Sequence, residues 1–382
     1  MHPDYFGVHF FCMICKEIIK YIEEWAPKET AWQKDNVGIQ IGAADRKLRN
    51  ILLCLELTGE VIDDAIKKSC NFIISHHPLL FNPLKRIDLQ NDKNSKLIER
   101  LIKKNITLYS AHTNLDFTRD GVSFELAKVL KLKNIDFLKR AGSSQYKLVV
   151  FVPESFAKKV SEAIFGAGGG IIGEYKRCSF RTNGIGTFRG SDTANPVFGK
   201  KGRDEEVKEV RLEVLINSPA LNKVVQALFK VHPYEEVAYD IYPLENPGNS
   251  GAGAIGELEN SFSKAEFLKF ISGQLKIRNF RYVESTNNKI KKVAVCGGAG
   301  SDLIQDAINA AADAFITADI KYHSFHDAAG KIFLIDAGHY ETEIHSLNEL
   351  KRRLTSYAKI NKSKVKIFKY NGSTNPIIFY NN

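Results

Sequence analysis

The chain has 382 residues, with 54 Lys and Arg against 44 Asp and Glu, and 44% of its residues are hydrophobic. That is enough for two or three globular units of roughly 100 to 200 residues each, and it excludes wholesale disorder. Six cysteines (Cys12, Cys15, Cys54, Cys70, Cys178, Cys296) are too few and too scattered for a disulfide framework, and no run approaches the ~18 apolar residues of a membrane helix. The apolar patch over 6–14, broken by His9 and followed by Lys16 and Glu17, lacks the basic start and small-residue cleavage site of a secretory signal. A cytoplasmic location is expected. The surplus of ten positive charges is dispersed, with Lys and Glu interleaved along predicted helices, which reads as a solvated surface rather than a nucleic-acid-binding face.

In chain order, Cys12 and Cys15 open an amphipathic run over 14–25; with no second C-x-x-C they fit helix packing better than a metal. The pattern then predicts a strand over 51–55, a helix over 59–68, a strand over 71–75, a helix over 95–104, a strand over 106–110 and a helix over 118–129. The last third repeats this alternation, with strands over 292–296, 314–317 and 332–336 and helices over 302–312 and 343–357. Strand and helix in alternation argue for mostly parallel sheets flanked by helices. Between these two α/β halves the order changes to strand (147–152), helix (153–165), Gly-rich turn (166–173), hairpin-like strands near 180–189, a strand (207–216), helix (220–231) and strand (236–243). That β-α-β-β-α-β order is the ferredoxin-like arrangement. The segment 246–256, NPGNSGAGAIG, has the composition of a linker. The expected organisation is therefore 1–139 and 251–382 as two halves of one α/β domain, interrupted by an inserted α+β domain over 140–250.

Three polar clusters each follow a predicted core strand: Ser75-His76-His77-Pro78, Ala111-His112-Thr113-Asn114-Leu115-Asp116, and Asp336-Ala337-Gly338-His339-Tyr340-Glu341-Thr342-Glu343. The carboxyl ends of parallel strands share one edge of a sheet, so clusters distant in sequence can meet there. Imidazoles and carboxylates are the ligands of Zn, Mn or Fe, and five such groups exceed one tetrahedral ion if a carboxylate bridges two. His339 and Glu343, at i and i+4, share one helix face. His76 and His77 would diverge in a regular strand, so both can ligate only where the strand has ended, as Pro78 suits. Each cluster alone has a plain structural explanation: a core-edge His pair, an N-cap at Asp116, a helix-surface pair. Their joint placement after three strands favours a dinuclear centre.

Other segments carry less. Cys296-Gly297-Gly298-Ala299-Gly300-Ser301 lies between a strand and a helix and suits either phosphate contact or tight packing, without a P-loop's Lys-Ser/Thr. Thr317-Ala318-Asp319-Ile320-Lys321-Tyr322-His323 places an acid, a base and an imidazole near the same edge. His232-Pro233-Tyr234-Glu235-Glu236 reads as a helix-to-strand turn.

The three clusters, together with Asp35-Asn36-Val37-Gly38-Ile39-Gln40, resemble the GTP cyclohydrolase I type 2 homologs, also called NGG-interacting-factor-three-like (NIF-three-like) proteins, from about Lys16 to the C-terminus. The insert is similar to the small PII and CutA domains of that family's longer members. The resemblance implies two divalent ions per subunit held by His76, His77, Asp116, His339 and Glu343, with Asp116 or Glu343 bridging, and His112 and His323 lining the same pocket. Zinc is the first expectation, and iron or manganese also suits the donors. It implies a homohexamer, a trimer of dimers with metal sites facing an internal cavity, acting on a nucleotide or other phosphorylated small molecule. The expected chemistry is hydrolytic: opening of the guanine ring of GTP by attack at C8 with release of formate, or phosphoester cleavage, with Asp319, His323 and His112 moving protons. A non-enzymatic metal-binding ring whose insert senses a ligand or caps the opening is the alternative. Ala318 stands where the family usually has Gly, and Gly251-Ala252-Gly253-Ala254 where it often has G-x-G-R; the missing Arg weakens the case for a triphosphate substrate.

Overall fold

The computed structural model describes residues 13–142, 145–245 and 248–380. Cys12 and most of the apolar patch over 6–14 lie outside them. Cys15 opens the helix Cys15–Trp25 and is buried, and the described cysteines are free thiols. No helix among the described residues is long and apolar enough to cross a membrane.

The architecture is mixed α/β with three sheets, in two compact units: residues 141–248, and the remainder on either side. In the larger unit the first sheet consists of β1 (Gly38–Ile41), β2 (Asn50–Cys54), β3 (Phe72–Ser75), β4 (Thr107–Ser110) and β15 (Lys366–Lys369), in the order β1-β4-β3-β2-β15. Only β1 runs antiparallel to its neighbour. Its central strands are apolar on both faces because both are covered. Ile51, Leu53, Phe72, Ile74 and Tyr109 join a core with the helices Cys15–Trp25 and Ser346–Ile360. Leu52, Ile73 and Leu108 join another with the helices Gly59–Lys67 and Lys93–Lys103.

The second sheet holds β5 (Lys133–Arg140), β10 (Gly251–Ser263), β11 (Arg281–Val283), β12 (Lys289–Ala299), β13 (Ala314–Ala318) and β14 (Phe333–Asp336), in the order β11-β14-β13-β12-β10-β5. Only β12, β13 and β14 are mutually parallel. The expected linker over 246–256 is corrected here, since from Gly251 onward it is a strand between β5 and β12. Its glycines serve close approach rather than looseness: a Cβ at Gly251 or Gly256 would collide with the carbonyl of Lys139 or Lys133 on the neighbouring strand. The sheets also cross the expected sequence halves, because β5 lies in the second sheet and β15 closes the first.

Two expected helices differ. The helix over 118–129 starts later, as Val122–Val129, and a separate short helix, Thr113–Asp116, precedes it; Gly121 lies between them, where a Cβ would strike the Leu115 carbonyl. The helix over 343–357 is instead His339–Glu343 and Ser346–Ile360, with the Ser346 hydroxyl donating to the Glu343 carbonyl at the break (2.7 Å).

The smaller unit contains β6 (Gln145–Pro153), β7 (Phe180–Arg189), β8 (Asp204–Asn217) and β9 (Tyr239–Pro243), ordered β7-β8-β6-β9 and antiparallel throughout. Alternate residues Leu148, Val150 and Val152 of β6 and Leu212, Val214 and Ile216 of β8 face one way. They pack on Val160 and Ile164 of the helix Ala157–Gly166 and on Val224 and Leu228 of Leu221–Val231.

Candidate metal centre

The five expected ligands come together, although from two sheets rather than from one edge. His76 and His77 follow β3. The His76 amide donates to the Cys54 carbonyl (3.0 Å) and the His77 amide to the Leu55 carbonyl (2.9 Å). In a regular strand successive amides serve opposite neighbours, so the ladder has ended at this point and both rings turn the same way. Asp116 closes the short helix after β4. His339 and Glu343 occupy the first and last positions of the helix after β14, which Gly338 enters at φ +89°. Asp319, just past β13, is itself left-handed at φ +56°, an uncommon conformation for a residue with a side chain.

The geometry has one consistent feature. Each of four imidazoles has its Nδ1 tied to an oxygen: His76 to the Ala111 carbonyl (2.8 Å), His77 to Glu56 (2.8 Å), His112 to Asp35 (2.8 Å) and His339 to Asp319 (2.6 Å). In the neutral ring, an oxygen that only accepts places the proton on Nδ1 and leaves the lone pair on Nε2. The Nε2 atoms of His77 and His339 lie 3.3 Å apart. Glu343 Oε1 is 3.0 Å from His339 Nε2 and 3.7 Å from His76 Nε2, its Oε2 is 3.2 Å from His77 Nε2, and Asp116 Oδ1 is 3.5 Å from His76 Nε2. The potential ligand atoms of His76, His77 and His112 lie within 4.8 Å of one another, as do those of His77, His339 and Glu343.

His76 Nε2, Asp116 Oδ1 and Glu343 Oε2 are buried and accept no hydrogen bond among the described residues; the His77–Glu343 contact has ion-pair distance without hydrogen-bond alignment. Facing acceptors that share no proton are costly in a protein interior. Around a cation the same arrangement is favourable, and Nδ1 held by an outer oxygen is the usual support for a metal-ligating His. The donor set therefore fits divalent cations.

The protonation equilibria reflect the crowding. Burial raises the Asp116 carboxyl to about 7, outweighing the neighbouring His76 ring. Burial disfavours the charged forms of His77 and His339, but Glu343, with Glu56 for His77 and Asp319 for His339, raises them to about 10 and about 9. Burial opposes ionisation of Glu343 too, yet the surrounding imidazoles hold its carboxyl well below the usual range. Burial and the nearby His76 ring lower His112.

The remaining expected residues are placed as follows. Asp319 touches His339, and His112 stacks edge-on against His76 and His77, with ring centres 5.3 and 5.4 Å away. His323 is exposed on the helix Tyr322–Ala328, its ring 5.5 Å from Tyr322, and takes no part in the contacts above. The Cys296-to-Ser301 segment packs tightly. The Gly297 and Gly298 amides already donate to the Ser123 and Thr342 hydroxyls (3.3 and 3.0 Å), and a Cβ on Gly298, at φ +65°, would collide with Glu343. Two supporting acids carried no assigned role in the sequence. Glu56 sits just beyond β2, and its position at a strand end was the available signal. Asp35 has a buried side chain and also accepts from the Thr113 amide (3.1 Å); burial pushes its carboxyl up, but His112 and Thr113 together hold it below its ordinary value.

Over residues 13–376 the chain matches the family described as Duf34/NIF3 (NGG1p interacting factor 3). It belongs to that family. A Bacillus subtilis (strain 168) relative named "GTP cyclohydrolase 1 type 2 homolog" is 39% identical over 367 residues, 95% of this chain and 98% of that protein. A Listeria monocytogenes protein of the same name is 37% identical over 348 residues, 90% and 93% of the two chains. The crystal structure of a Bacillus cereus protein related to NIF3 superposes with a TM-score of 0.73 at 37% identity, over 97% of this chain and 99% of that one. That of a Staphylococcus aureus protein does so with 0.80 at 30%, over 96% and 99%. The mixed α/β architecture is thus common to this chain and these Duf34/NIF3 relatives.

Proposed function

We propose that this Duf34/NIF3 protein is a metal-dependent hydrolase whose centre holds two divalent cations through His76, His77, Asp116, His339 and Glu343, with the Nε2 of His112 within reach. The observation that carries the reading is the set of four Nδ1-anchored imidazoles around two carboxylates, Glu343 buried and Asp116 half-buried, each with a buried oxygen that lacks a hydrogen-bond partner among the described residues. Glu343, whose two oxygens face different imidazoles, would be suited to hold both ions, with Asp116 the other candidate for that role. Zinc is the expected metal, with iron or manganese compatible. Two such ions would supply Lewis acidity towards a carbonyl or phosphoryl oxygen and lower the pKa of water. The chain's own residues do the rest. Glu56, Asp319, Asp35 and the Ala111 carbonyl hold the Nδ1 protons and aim the rings, and Asp319 and His112, which touch those rings, are the groups assigned to proton movement, with the exposed His323 outside these contacts.

The substrate class is a nucleotide or other phosphorylated small molecule, by guanine ring opening with formate release or by phosphoester cleavage; the relatives' name supports the first, and a two-cation centre suits either. We read the smaller unit as a ferredoxin-like, PII/CutA-like insert on the strength of its strand order, and the protein as a cytoplasmic homohexamer, a trimer of dimers.

The test is elemental analysis of the untreated protein, followed by formate and phosphate assays across a nucleotide panel with Zn, Mn or Fe. About two ions per chain and turnover abolished by Glu343→Gln are expected. Bound metal with no turnover on any nucleotide would favour the scaffold reading, and protein that retains no metal would overturn both.

A further inference from the structure

Outside the metal centre, the smaller unit carries a cleft of about 470 Å³ formed between β7, the loop after it and the turn before β9. That volume suits a small organic ligand. Its walls are aromatic: the Tyr234 ring centre lies 6.0 Å from that of Phe198 and 6.3 Å from that of Phe188. At its base lies the Glu209 carboxylate, which reaches across β7 because residue 186 is glycine; a Cβ there would collide with it. The Tyr234 hydroxyl donates to Glu209 Oε1 (2.7 Å), which uses one of the two carboxylate oxygens.

The His232-to-Glu236 turn is built to present this arrangement. His232 is buried; its Nε2 donates to the Phe151 carbonyl (3.1 Å) and its Nδ1 accepts from the Tyr234 amide (3.2 Å), which fixes the tautomer and the turn. Glu235 accepts from the Asn195 amide (2.8 Å), tying the loop to the turn. Glu236 lines the same cleft. Among the residues lining the cleft, three carry carboxylates, Glu209, Glu235 and Glu236, and one, Arg189, carries a cation. Arg189 is already engaged by both oxygens of Asp204 (2.8 and 2.6 Å).

We propose that this cleft binds a small organic cation, an ammonium or guanidinium group on an apolar body, with the charge at Glu209 and the body against Phe188, Phe198 and Tyr234. Acidic charge at the base and negative ring faces on the walls both favour a cation and disfavour an anion. The site lies wholly within the smaller unit and does not depend on the metal reading.

Titration calorimetry on the full-length, metal-loaded protein tests it, with phenethylammonium and agmatine as cationic probes and 2-phenylethanol and 3-phenylpropionate as neutral and anionic counterparts. Saturable binding of at least one cation, without binding of the counterparts, is expected. Glu209→Gln should weaken it about tenfold or more, the loss of one charge-assisted contact, and Glu236→Gln by a smaller factor. Circular dichroism and a melting curve check that the variants fold; if Glu209→Gln does not, Glu236→Gln and Tyr234→Phe decide. The proposal is overturned if neither cation binds, if the counterparts bind as well, or if the folded variants bind like the parent.

Discussion

The candidate metal centre and the aromatic cleft both gather acids and rings, but they satisfy them differently. At the ends of β3, β4 and β14, the imidazoles of His76, His77 and His339 have spent their outer nitrogens on oxygens, and His76 Nε2, Asp116 Oδ1 and Glu343 Oε2 are left buried without a hydrogen-bond partner among the described residues. In the cleft, Glu209 has a hydroxyl donor in Tyr234 and is only half-buried. Burial is what separates the two. On the two proposals above, a buried set of acceptors favours a cation that stays with the protein, whereas a half-hydrated carboxylate flanked by rings can release its ligand.

The largest test of this contrast is Glu343→Gln, which removes the charge shared by three imidazoles. Metal affinity should fall by more than ~100-fold, beyond the range for losing an outer-shell partner, as measured by competition with a chromophoric chelator; retained metal would refute the assignment. Next is pH. Cations must displace the protons that His77 and His339 hold up to about 10 and about 9. Affinity should therefore fall as pH falls, by up to ~2 decades per unit below those values. A pH-independent affinity between about pH 6 and 8 would contradict the proton count.

Asp319→Asn keeps an acceptor near His339 but removes its charge, so a loss of ~10 to 100-fold in affinity is expected by the same competition. Gly298→Ala forces a side chain against Glu343 at a left-handed backbone position. It should lower unfolding stability by about 1 to 3 kcal/mol in denaturant titration, and metal content should drop with it. The smallest effect belongs to the other region. Tyr234→Phe removes one hydroxyl and should cost about 1 kcal/mol or less, with metal content per chain unchanged by elemental analysis; a loss of metal there would show that the two regions are not separate.

Much of the cluster was legible because its motifs carry their own local reasons. His76-His77-Pro78 follows an unbroken apolar strand and ends it, and His339 and Glu343 share a helix face at i and i+4. Glu56 and Asp35 were not legible as partners. An acid after a strand has many possible uses, and only the folded chain brings Glu56 to His77, 21 residues on, and Asp35 to His112, 77 residues on. The strand Gly251–Ser263 was hidden for a different reason. Glycines that permit close strand packing have the same composition as glycines in a linker. β5 is masked by its charges, with Phe137 its one fully buried residue.

Local chemistry, written in the order of residues, determined which side chains this protein offers to a metal and at which strand ends they sit. Whether they meet was decided by tertiary structure, because His77 and His339 are 262 residues apart and reach each other from different sheets. The same holds for the charge state of the cluster. A carboxyl such as Asp116 moves to about 7 only once packing has removed its water, and desolvation belongs to the fold rather than to any one residue.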